Sequence, residues 1–231
     1  MSELVLSAVE PFTSPAWGSN FVVFSGEAGP PIPEAQTEQY LRKCGLYAKR
    51  HEVWLVPERF VLAGEHCMAL FTPEGEMPLM QKAIHNSPAF KSKAAANTDL
   101  EIFLTPMGKV MLCVDADIYR PEVACTGSKL GAQVIVCSQS IGLDDYGTHM
   151  VLTGAWNAAQ QAGVYVIAVS NQFNCVCAPV ELTPQGDGFL NPPGLKMPMT
   201  QRISPGILGT MRRHQALSRR FYYTHRQELI G

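Results

Sequence analysis

Gly108-Lys-Val-Met-Leu-Cys-Val-Asp-Ala-Asp-Ile-Tyr-Arg-Pro-Glu122 runs an apolar segment into a polar turn and then into a proline-started helix. Val110–Val114 reads as a buried strand. Pro121 suits the first turn of a helix, where its missing N–H costs nothing, and Gly131 marks the stop after Leu130. A polar side chain at such a strand-to-helix elbow projects into the crevice above the strand ends, where α/β proteins place ligands. Asp115 and Asp117 are therefore candidate site residues. Both carboxylates would equally serve to cap the following helix, and spacing alone leaves the two roles open.

Outward from the elbow, Gln133–Cys137 reads as the next strand, His149–Gly163 as a long helix and Val164–Val169 as another buried strand. Residues 110–137 and 133–169 thus form two strand–helix–strand units. Upstream, Leu4–Val9, Phe21–Phe24, Val53–Val56, Phe60–Leu62 and Cys67–Phe71 read as strands, and Glu34–Arg50 has helical spacing. Residues 29–33 hold three prolines and read as a loop. Pro73–Glu76 reads as a turn, and Glu101–Leu104 pairs with Val110–Val114 across a turn at Pro106–Lys109. Beyond residue 170, Gly and Pro alternate with short apolar stretches. Mixed pairs beside strand–helix–strand units predict a layered α/β sandwich in one domain spanning 1–231, with an arm from about 205 onward.

Composition narrows the function classes. The 231 residues carry 18 basic and 20 acidic side chains, a formal charge of −2, with 46% hydrophobic and 16% charged residues. So few charges point to extensive burial or to a subunit interface. No basic footprint for nucleic acid is present; the one basic cluster, Arg212, Arg213, Arg219, Arg220 and Arg226, reads as an interface arm. No apolar run is long enough for a membrane span, and the Met-Ser-Glu-Leu start lacks a signal-peptide n-region. Seven irregularly spaced cysteines read as free thiols in a reducing, cytoplasmic setting. Cys175-Val-Cys177 lacks the further ligands zinc would need, so neither metal nor cofactor is expected.

The elbow segment resembles the nitrilase superfamily, the carbon–nitrogen hydrolases, whose pattern there is Gly-Lys-Ile-Gly, a short apolar run, then Cys-Tyr-Asp-x-x-Phe-Pro-Glu. The likeness continues in order. Phe21-Val-Val-Phe24 with Glu27 is similar to the family strand ending in Phe-Pro-Glu, and Cys67–Gly75 to its Pro-Asp-Gly hairpin. Lys82–His85 is similar to its Arg-Lys-x-His segment, Gly131–Val136 to its Gly-Ala-Asp strand, and Ala158–Gln172 to its next helix–strand unit. Arg219–Leu229 is similar to its C-terminal Arg-rich stretch. This resemblance implies a four-layer αββα sandwich that dimerises, and a Glu–Lys–Cys site in which cysteine attacks an amide or nitrile carbon.

At the nucleophile position the chain departs from that pattern. Counting from Gly108 and from Pro121 both give Asp115, with Cys113 two residues deeper on the strand. The resemblance assigns catalytic positions to Glu27, Lys82 and Asp115, and a substrate-binding surround to Ala116, Asp117, Tyr119 and His149. Glu27 fits only with one inserted residue, and Lys82 lies one residue nearer Gly75 than the pattern. An aspartate attacking an amide would form a mixed anhydride, a poor intermediate, so Asp115 is expected to act as a general acid or base on water. Its expected neighbours are Lys82 and Glu27. The outcome is a diverged enzyme acting on a small amide, nitrile or related C–N substrate. The alternatives are an inactive homologue that binds a small molecule or protein, and an enzyme that uses Cys113. The chain also lacks room for the family's first long helix between Val9 and Phe21.

Overall fold

The computed structural model describes residues 3–25, 31–85, 99–141 and 147–211. In chain order the elements are β1 (Leu4–Val9), β2 (Phe21–Phe24), α1 (Glu34–His51), β3 (Trp54–Val56), β4 (Phe60–Leu62), β5 (Glu65–Leu70) and β6 (Leu79–Lys82). There follow β7 (Ile102–Thr105), β8 (Gly108–Val114), a 3-10 turn Asp115–Tyr119, α2 (Pro121–Lys129) and β9 (Val134–Gln139). A helical run follows, made of α3 (Thr148–Val151), a π-helical turn Leu152–Trp156 and α4 (Asn157–Ala162). Four strands complete the described chain: β10 (Tyr165–Ser170), β11 (Asn174–Cys177), β12 (Phe189–Gly194) and β13 (Met199–Ile203).

Two sheet systems stack. One is ordered β13-β1-β2-β3, and an antiparallel bridge between Leu55 and Phe71 joins it to the hairpin sheet β4-β5-β6. The other is six-stranded, β12-β11-β10-β9-β8-β7. The parallel β8–β9 and β9–β10 pairs are the two units read from the sequence, crossed over by α2 and by α3–α4.

Period-two alternation decides what each face of the six-stranded sheet meets. Val110, Leu112 and Val114 of β8, with Val134 and Val136 of β9, join Leu4, Leu6, Phe21 and Val23 in the core between the sheets. Met111, Cys113, Ile135 and Cys137 point the other way, into a core with Val123 and Ala124 of α2 and Ala158 and Ala159 of α4. A third core packs Val22, Phe24, Leu55 and Cys67 against Tyr40, Cys44 and Tyr47 of α1. The layers are therefore α, β, β, α. Each such fully buried Val, Leu or Phe contributes roughly 1.5–3 kcal/mol.

The outer layer over the first sheet holds α1 alone among the described residues. β1 and β2 are parallel neighbours, and residues 10–20 join them through turns without a helix. Four strands differ from the sequence expectation. β6 lies outside the segments that read as strands, and β11, β12 and β13 lie in the stretch that reads as irregular; Pro192 and Pro193 sit in β12, an edge strand where a missing N–H is tolerated. The helix read as continuous over 149–163 contains the π turn. No helix among the described residues is long and apolar enough to cross a membrane. Glu27 and the arginine-rich tail from Arg212 onward lie outside the described residues.

Candidate functional site

The elbow forms because β8 ends on extended Val114 and the next residue turns left-handed. Asp115 has φ +50° and opens the 3-10 turn. Aspartate is among the few residues with a side chain that enter this region readily. Arg120 returns to an extended conformation, as the residue before a proline must, and Pro121 starts α2.

Asp115 is completely buried. Arg59 donates from Nη1 to its Oδ1, and the Nδ1 of His66 lies 2.6 Å from its Oδ2. Arg59 precedes β4 and His66 lies near the start of β5, so both partners come from the hairpin sheet, while Asp115 belongs to the six-stranded one. The three residues form an ionic bridge between the two sheets. Arg59 is 5% exposed and His66 7%. In such surroundings a carboxylate stays buried only with its charge and lone pairs satisfied. Both oxygens of Asp115 are committed and none of it reaches solvent, so Asp115 is not placed to attack a substrate.

Lys82 does not join this cluster as expected. In the β5–β6 pairing Cys67 lies opposite Lys82 and Met68 opposite Gln81. Met68 and Ala83 face the core between the sheets, whereas Cys67 faces the α1 side. Lys82 therefore projects away from the sheet interface and pairs with Glu65 at 2.7 Å, a contact that raises its pKa. A one-residue shift in a strand exchanges faces; the residue turned inward beside it is Ala83. The expected Lys82–Asp115 pair is replaced by Arg59–Asp115.

Asp117 does not act as a cap for α2. It is 1% exposed and accepts from the backbone N–H of Ile84 at 2.8 Å and of His85 at 2.9 Å, and its Oδ1 lies 2.8 Å from His85 Nδ1. Burial raises its pKa against these hydrogen bonds. Asp117 ties the chain leaving β6 to the elbow, and Gln81 holds the chain entering β7 by donating to Asp99 O and accepting from Glu101 N–H. Ala116, half-buried, lies between the two aspartates.

Tyr119 packs its ring close to Gly154 in the π turn and donates its hydroxyl to Gln139 Oε1 at 2.8 Å. A side chain on residue 154 would meet that ring at 2.7 Å, which is why glycine stands there. His149 is exposed on α3. At the end of β2, Ser25 donates to Asn174 Oδ1 at 2.7 Å, closing the gap between the two sheets there.

Cys113 is no substitute nucleophile. It sits in the helix-side core beside Cys137, and the Cys137 thiol together with burial raises its pKa well above that of an ordinary thiol. Reactive cysteines need the opposite, an exposed and electropositive setting. Cys175 and Cys177 lie in the same core, their sulfurs 3.8 Å apart.

The elbow thus carries Asp115, Ala116, Asp117 and Tyr119, whereas Lys82 is paired with Glu65 and His149 is exposed on α3. Arg59 and His66 went unread in the sequence. Their signal was a cation and an imidazole flanking apolar strand runs, with a carboxylate at the elbow that needed partners.

No family model and no curated protein matches the chain by sequence. Solved structures do match its fold. A carbon–nitrogen hydrolase from Helicobacter pylori is 14% identical with a TM-score of 0.73, the alignment covering 94% of each chain. An amidase from Nesterenkonia sp. is 14% identical with a TM-score of 0.66, over 94% of this chain and 96% of that one. The NitFhit protein of C. elegans is 14% identical with a TM-score of 0.73, over 100% of this chain and 66% of that one. The fold is that of the nitrilase-superfamily carbon–nitrogen hydrolases.

Proposed function

We propose that this chain is a diverged carbon–nitrogen hydrolase that cleaves a small amide, nitrile or related C–N compound by acid–base chemistry on water, with no thiol intermediate. The observation that carries this is the elbow. At the end of β8, the position the resemblance assigns to the nucleophile is a left-handed residue bearing a carboxylate, held by a guanidinium and an imidazole. The substrate class rests on fold likeness, an analogy, and a mutant of the Nesterenkonia amidase has been solved with butyramide. The test is ammonia release from a panel of simple aliphatic amides and nitriles, using purified wild type and Asp115→Asn. Turnover by wild type that falls in Asp115→Asn supports the proposal.

A noncatalytic binding role is favoured by a separate observation: Asp115 is wholly buried with both oxygens engaged, and Lys82 is turned onto Glu65. Saturable binding of an amide in equilibrium dialysis, without any turnover, would select this role. For either role we propose a homodimer, supported by the low charge fraction of 16% and tested by light scattering. A reducing, cytoplasmic setting is supported by seven free cysteines and tested by cell fractionation.

A further inference from the structure

The two oxygens of Asp115 hold unlike partners, and the asymmetry gives His66 a direction. Alternation along β5 sends Glu65 and Cys67 toward the Lys82 face, while His66 and Met68 turn to the core between the sheets. There His66 meets Asp115 through Nδ1 at 2.6 Å. A carboxylate oxygen only accepts, so Nδ1 carries a proton, and in the neutral imidazole Nε2 then presents its lone pair. Arg59 on the other oxygen keeps the carboxylate in place and supplies the compensating charge. Nε2 makes no hydrogen bond among the described residues and is not among their sealed, unpartnered polar atoms. Among the described residues, Asp115 and Arg59 stand on the imidazole's own face, the Glu65–Lys82 pair stands on the opposite face of the same hairpin, and the Asp117–His85 pair stands where the chain leaves β6.

We propose that His66, not Asp115, is the general base of this site, with Asp115 as its positioning residue. The assignment rests on the hydrolase reading above. His66 Nε2 takes one proton from water as the water oxygen bonds to the carbonyl carbon. The same proton then passes from Nε2 to the leaving nitrogen as the C–N bond breaks. One amide and one water give one carboxylic acid and one amine or ammonia, and the imidazole returns to its starting state. An imidazole fixed by a carboxylate at Nδ1 is the arrangement that suits this shuttle, because the partner sets the tautomer.

The test is His66→Gln, assayed by ammonia release beside wild type on the same amide panel, with circular dichroism and melting temperature as fold controls. Turnover is expected to fall by roughly 10²–10⁴-fold in a folded variant. Wild-type turnover that persists in His66→Gln overturns the assignment and leaves the hydrolase reading standing, whereas no turnover by wild type overturns both. If His66→Gln does not fold, nitrogen-15 NMR of histidine-labelled wild type decides. A proton on Nδ1 with a bare Nε2 at neutral pH supports the assignment. A proton on Nε2, or on both nitrogens, overturns it.

Discussion

Replacing Arg59 by methionine removes the guanidinium and keeps most of the side-chain volume. It would leave Asp115, with no solvent exposure, held by His66 alone. Breaking one side of a buried ion pair costs about 3–5 kcal/mol, because the remaining charge is left buried without its partner. In a chain of 231 residues, each kcal/mol moves the melting temperature by about 2–4 °C, so a loss of about 6–20 °C is expected. The double variant Arg59→Met with Asp115→Asn removes both charges, while asparagine still tolerates the left-handed backbone at the elbow. It should be more stable than the sum of the single changes predicts, by at least about 1–3 kcal/mol in a double-mutant cycle. Urea unfolding followed by far-UV circular dichroism reads all four proteins. An Arg59→Met protein within about 0.5 kcal/mol of wild type, the range of an ordinary surface change, would refute the bridge between the sheets as a buried, coupled pair.

Gly45→Ala should destabilise even though alanine favours a helix by about 1 kcal/mol: the new Cβ would lie 2.8 Å from the Gly75 carbonyl oxygen and push the β5–β6 turn off α1. The measured sign of the change in a urea titration checks this. Iodoacetamide on native protein should leave Cys113 unmodified and label the partly exposed Cys125, as read by peptide mass spectrometry, because burial and Cys137 hold Cys113 as a thiol. Asp117 has its pKa raised in the fold from 3.8. Between 3.8 and the raised value the native state binds more protons than the unfolded chain, so this residue's contribution to stability falls as pH rises through that window. Comparing wild type with Asp117→Asn by urea midpoints across acidic pH should isolate that fall, and a difference that instead grows in favour of wild type would reverse the sign.

The elbow was legible in the sequence because its signals are local: an unbroken apolar strand, polar Asp115 and Asp117, then Pro121. The two strand–helix–strand units around it were legible for the same reason. β12 hid behind Pro192 and Pro193, and β6 is only four residues long with mixed polarity. The placement of Lys82 on Glu65 has a geometric cause. A lysine one position away from the inward-facing Ala83 looks equivalent in a motif and lies on the opposite face of a strand. Arg59 and His66 stand 56 and 49 residues before Asp115, and no spacing rule links them; only stacking of the two sheets brings them together. The strongest clue was chemical: a carboxylate predicted at a buried elbow requires a cation, and Lys82 was not the nearest in space.

The central claim is hydrolysis at the elbow without a thiol. Ammonia release from the amide panel, measured before and after exhaustive iodoacetamide treatment of the native protein, tests it most directly. Release should continue essentially unchanged after alkylation. Loss of release that tracks modification of a single cysteine, or no release before treatment, would contradict it.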